Sequence, residues 1–94
     1  MSRMVLTPTT GYVFVSDAPE QFNVEMTQST WAFIANVDAF ICQGVNPTAG
    51  PSDGSTFVRA GERVIVEGGN FPKLSVVKAS PDDGHASLSR CYFP

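Results

Sequence analysis

The chain has 94 residues, 43% of them apolar but only 16% charged, with a net charge of −3 and a pI near 4.8. That length makes one domain with a single core, and the apolar share argues against a chain disordered throughout. The six basic residues, Arg3, Arg59, Arg63, Lys73, Lys78 and Arg90, are scattered, so no cluster exists to neutralise phosphates, and nucleic acid and anionic membranes are disfavoured as partners.

Met4 to Thr7 reads as a first short strand, stopped by Pro8 and the polar Thr9-Thr10-Gly11. Tyr12 to Val15 is a β run of aromatic and β-branched residues, closed by Ser16-Asp17-Ala18-Pro19. Gln21 to Met26 alternates cleanly, Phe22, Val24 and Met26 against Asn23 and Glu25, which predicts a half-buried antiparallel strand. In Trp31 to Val37 the odd positions Trp31, Phe33, Ala35 and Val37 share one face, and Ala32, Ile34 and Asn36 make a mixed face opposite. Trp31 and Phe33 are read as core rather than as a binding platform. Asp38 interrupts, and Ala39 to Cys42 resumes the apolar run.

From Gly44 to Ser55 the residues are Gly, Pro, Asn, Ser, Asp and Thr, which supply turn dihedrals and local hydrogen bonds, so a twelve-residue loop is expected. Strands follow at Thr56 to Arg59, Arg63 to Glu67, Lys73 to Ala79 and Ala86 to Phe93. Turns at Ala60-Gly61-Glu62, Gly68 to Pro72 and Ser80 to His85 separate them. Lys73 and Lys78 are read as blunting a sheet edge. No window carries apolar residues at helical spacing. About eight short strands with turns every eight to twelve residues predict an all-β fold, a small antiparallel β-sandwich or jelly-roll-like barrel, over residues 1–94 as a single domain.

The chemistry-bearing residues do not form a site. His85 is the one histidine and lies in a Pro-Asp-Asp-Gly-His turn, where Asp82 and Asp83 act as turn formers. There is no CxxC or HxH, so no metal site is expected, and no catalytic residue and no cofactor either. Cys42 and Cys91, in separate strands of a chain without a signal-peptide core before Pro8, are expected as free thiols. No apolar run approaches the roughly twenty residues of a membrane helix, and the chain is expected to be soluble and made in a cytosol. The charged fraction, low against roughly 25% for a typical soluble protein, favours a protein that buries part of its exterior in an assembly.

The succession Asp38 to Gly44, Asn46-Pro47-Thr48-Ala49, Ser52-Asp53-Gly54-Ser55, Ala60-Gly61-Glu62, Leu74 to Val77 and Asp83-Gly84 resembles a pattern seen in small virion proteins of tailed bacteriophages. The match covers roughly the C-terminal two thirds and is built from turn residues and alternation. It implies a capsid decoration or cement protein, partnered by the major capsid protein and by copies of itself as a dimer or trimer. Such a protein is made in the host cytoplasm and resides on the virion surface. Head–tail or tail parts, and a receptor- or glycan-binding module, are the alternative roles. No functional residue is carried over from the resemblance.

Two segments are candidate partner contacts on their own chemistry. Residues 1–10 are apolar yet broken by Pro8, which makes them either an extended arm, with Met4, Val5 and Leu6 at the contact, or an edge strand of the domain. The long polar loop offers Asn46, Pro47, Thr48, Ser52 and Asp53.

Overall fold

The computed structural model describes residues 5–26, 30–50 and 54–92. Eight strands form there: β1 (Val5–Val15), β2 (Glu20–Gln21), β3 (Thr30–Ala35), β4 (Ala39–Gly44), β5 (Thr56–Val58), β6 (Val64–Glu67), β7 (Lys73–Lys78) and β8 (Gly84–Tyr92). No helix occurs among the described residues, so none is long and apolar enough to cross a membrane. The first sheet has the order β1-β8-β3-β6 and the second the order β2-β7-β4-β5. Every pairing is antiparallel. The first strand pairs with the eighth, the second with the seventh, the third with the sixth and the fourth with the fifth. That nesting is a long hairpin rolled into two sheets, the jelly-roll form of the expected β-sandwich.

Successive strands run in opposite directions, which fixes two ends. Val15 opposite Gly84 marks the upper end of the first sheet, and Val5 opposite Tyr92 the lower end. The β1–β2, β3–β4, β5–β6 and β7–β8 connections lie at the upper end; β2–β3, β4–β5 and β6–β7 lie at the lower end.

Between the sheets the inward side chains of both faces interlock, as the pleat demands. Phe33 of β3 and Leu88 of β8 face Val76 and Leu74 of β7, all fully buried. The Phe22 and Phe33 rings meet edge to face at 5.9 Å and 89°, a favoured aromatic geometry. Trp31 is 2% exposed, so its ring is core, as its alternation indicated.

Four details differ from the sequence reading. Only Glu20 and Gln21 of the expected Gln21–Met26 strand form a ladder. Phe22 and Met26 are nonetheless buried, because their N–H groups donate to the carbonyls of Leu74 (3.0 Å) and Pro72 (2.6 Å); the alternation reported burial and not a ladder. The two short strands expected before Ser16 are one, β1, whose register slips between Leu6 and Thr10, around Pro8. A proline there removes a ladder donor without ending the strand, which is tolerated at a sheet edge. The strand at Trp31 ends at Ala35, since Asn36 and Val37 bend toward the second sheet. Lys73 and Lys78 do not guard an edge. Strand β7 is interior, between β2 and β4, and the lysines pair instead with Glu25 (3.9 Å) and Asp83 (2.7 Å). The hydrogen bond and charge of Asp83 hold the Lys78 ammonium above its ordinary value.

The β4–β5 loop explains why Ser75, on the outer side of β7, is buried. Gln21 Nε2 donates to Asn46 Oδ1 (2.8 Å) and to the Pro47 carbonyl (3.0 Å), and Ala49 N donates to Ser75 Oγ at 3.0 Å. The loop thus lies across the second sheet and seals part of its outer face.

Cys42 and Cys91 are both free thiols, one in each sheet. Burial pushes the Cys91 thiol up from 9.0, with Glu67 adding to that and Arg63 opposing it. A thiol held neutral in the fold loses stability to the unfolded chain as pH rises past 9.0, because the unfolded thiol gives up its proton first. A native-state titration with a thiol reagent should therefore show one fast cysteine, the half-buried Cys42, and one that reacts only as the domain opens. Two equally fast thiols would contradict the burial of Cys91.

Candidate interaction surface

Among the described residues, no loop crosses the outer face of the first sheet as the β4–β5 loop crosses that of the second. Reading across its strands, Tyr12 of β1, Ser87 of β8 and Ile34 of β3 form one row, and Phe14, His85 and Asn36 the row above. In the first of these rows β8 carries the small Ser87 between the large Tyr12 and Ile34. A groove over β8 follows from that size difference alone. It appears as a depression of about 300 Å³ lined by Tyr12, Ile34, Asn36, Gly61, His85 and Ser87 among others. At a liquid share of about 30 Å³ per water, that is space for about ten waters.

The groove wall is aromatic and held in place. Tyr12 stacks on His85 at 5.5 Å and 25°, and Phe14 meets the same imidazole edge-on at 5.4 Å and 69°. The His85 backbone is tied to β3 twice: its N–H donates to Asn36 Oδ1 (2.8 Å), and its carbonyl accepts from Asn36 N (3.1 Å). Gly61 N donates to the Ala35 carbonyl at 2.8 Å, which brings the β5–β6 turn to the groove margin. Tyr12 is 65% exposed and Phe14 51%, large values for aromatic rings in a folded domain. Ile34 and Ile65 add exposed aliphatic surface to the same face.

A second apolar patch sits at the lower end. Gly44 opposite Lys73 is the last pair of the second sheet. Val45 follows it at 72% exposure, and Phe71 precedes it in the β6–β7 turn at 57%. The turn is braced from inside: Gln43 Nε2 donates to the carbonyls of Glu67 and Phe71, the latter at 2.9 Å, and Phe71 N donates to the Gly68 carbonyl. Bracing the backbone holds the Phe71 ring outward as a knob. Phe57, exposed on the second sheet, packs edge-on against Phe40 at 5.7 Å.

Charge is distributed unevenly between the ends. At the upper end Asp17, Asp38, Glu62, Asp82 and Asp83 outnumber Arg59, Arg63 and Lys78. At the lower end, among the described residues, Glu25 and Glu67 are equalled by Lys73 and Arg90.

Of the contact residues expected from sequence, Val5 and Leu6 begin β1, opposite Tyr92 and Cys91 of the same chain. Asn46 and Thr48 are exposed, but Pro47 is buried under its own loop. Met4, Ser52 and Asp53 lie outside the described residues. The start of β1 and the start of the β4–β5 loop both fall at the lower end, the end that carries Val45 and Phe71. Sequence reasoning missed the exposed aromatics. In Tyr12-Val13-Phe14-Val15 both alternate sets are apolar, so period two cannot say which set faces out. The signal for Phe71 was an aromatic inside a turn, between Asn70 and Pro72.

Among the described residues no group of His, Cys, Asp and Glu could hold a metal. Trp31 lies in the core and offers no ring for stacking a ligand; its indole N–H has no hydrogen-bond partner among the described residues.

No family model and no curated protein matches the chain. A solved structure does: a protein of the Bacillus endospore appendages, described as a novel family of disulfide-linked pili. It overlays with a TM-score of 0.53 at 11% identity, over 98% of this chain and 89% of that one. At that identity the likeness is one of fold.

Proposed function

We propose that the chain is a structural subunit of a tailed-phage particle, added to the outside of the assembled capsid as a decoration protein with the major capsid protein as partner. The observation that carries this reading is the pair of exposed apolar patches at opposite ends of a charge-poor jelly roll, around Tyr12 and Phe14 above and Val45 and Phe71 below. Contiguous apolar surface of this kind marks places that neighbours cover. The sequence resemblance points to the particle, and a pilus protein of the same fold is in keeping with a subunit's role.

The energetics suit a lattice. A contact made by a few side chains falls short of the roughly 20–30 residues a side, about 800 Å² per partner, of a stable pairwise interface, so a single contact is weak. Many copies on a fixed lattice convert weak contacts into firm attachment. A subunit that binds only the assembled shell stabilises it by mass action. A glycan-binding role has less support, since the ring with the most stacking surface, Trp31, is enclosed.

Co-sedimentation with mature capsids and with shells stripped of small proteins tests the reading. Saturation at a fixed ratio to the major capsid protein, with a raised shell melting temperature, is the expected result. No binding to either shell would remove the capsid role.

A further inference from the structure

We infer that copies of this chain associate head to tail, with Phe71 and Val45 of one copy seated in the Tyr12–Ile34 groove of the next. The inference rests on the structural-subunit reading and adds a partner to it, a second copy of the same chain. Knob and groove lie at opposite ends of the molecule. One is Phe71 on its braced turn, 57% exposed, with Val45 just past the end of β4, 72% exposed. The other is an apolar-walled depression of about 300 Å³ floored by small residues of β8. Size and polarity match: the groove presents rings and an isoleucine around Ser87, and the knob is an aromatic ring beside a valine.

Charge selects the direction of the contact. Two groove ends brought together would oppose two acid-rich ends, whereas at the knob end the described residues carry equal numbers of acids and bases. Head-to-tail contact avoids the like-charge juxtaposition that head-to-head contact imposes. A contact between unlike patches leaves each copy with one free groove and one free knob, so it propagates into a ring or a row and does not stop at two.

The test uses the free protein, without capsids, followed by sedimentation velocity from about 10 μM to about 1 mM, the range where interfaces below standard size associate. Wild-type protein should grow in mass with concentration beyond a pair. Tyr12→Ser and Phe71→Ser should each stay at the monomer mass of 10.1 kDa. Mixed, they should form a one-to-one pair and nothing larger, since the first keeps its knob and the second its groove. Both residues are more than half exposed, so the core should survive, as unchanged Trp31 fluorescence would verify. Ile34→Asn and Val45→Ser make the same test from the other residue of each patch.

Wild-type protein that stays monomeric throughout overturns the inference, as does a variant mixture that fails to pair. Growth that stops at a dimer, lost with Tyr12→Ser and not restored by mixing, would mean a two-fold contact of groove faces. Capsid binding by a protein that never self-associates would leave the decoration role standing and remove only this contact; self-association without capsid binding would do the reverse.

Discussion

Phe33→Ala should remove most of the stability of this domain. Phe33 is fully buried at the centre of β3, opposite Leu88 on one side and Val64 on the other, with its ring against Phe22. It is therefore the point where both neighbouring strands and the irregular Phe22–Met26 segment converge. Removing a buried phenyl ring costs about 3–5 kcal/mol through lost transfer energy and the cavity left behind. Single domains hold about 5–15 kcal/mol in total, and a chain of this size sits toward the low end. Urea unfolding followed by Trp31 fluorescence measures the loss directly. A change below about 1 kcal/mol would mean that the ring does not fill the space between the sheets.

Gly84→Ala is the second substitution with a large effect, although it adds only a methyl. A Cβ at this position would fall on Asn36 Oδ1 and within 2.7 and 2.8 Å of the Val37 methyls. Asn36 cannot withdraw freely, because its Oδ1 accepts the His85 N–H and its N–H donates to the His85 carbonyl. Overpacking of this kind costs about 1–3 kcal/mol. The strain also falls beside Tyr12 and His85, so groove geometry should move with it. Pairing the change with Asn36→Ala should recover part of the lost stability, and a double-mutant cycle reads that coupling. Strict additivity would place the clash elsewhere.

The class of fold was legible because apolar alternation and turn residues occupy separate stretches of this chain. The turn-rich residues that follow Gly44, the last residue of β4, could only be loop, and Trp31, Phe33 and Ala35 could not all face water. Sheet order was not legible, since pairing partners such as β1 and β8 lie at opposite ends of the chain and leave no local trace. The functional surface was the least visible part. Its residues come from separate strands, brought side by side only by the roll. The groove exists because Ser87 is small where Tyr12 and Ile34 are large, a relation among three distant positions. Pro47 shows the converse. A residue in a plainly polar loop is buried, because the loop turns back onto Ser75 and seals its own sheet.

The nested pairing bears on how the chain is made. Strand β8, the last described segment, lies between β1 and β3 in the first sheet. While a nascent chain is still being synthesised, β1 therefore has no partner in that sheet, and its apolar side chains wait for a strand not yet out of the ribosome. The first sheet closes only once β8 has emerged, and that closure spans the longest loop of the fold, a slow class of topology. In a cell producing many copies at once, the interval before β8 arrives is when the chain is most exposed to aggregation.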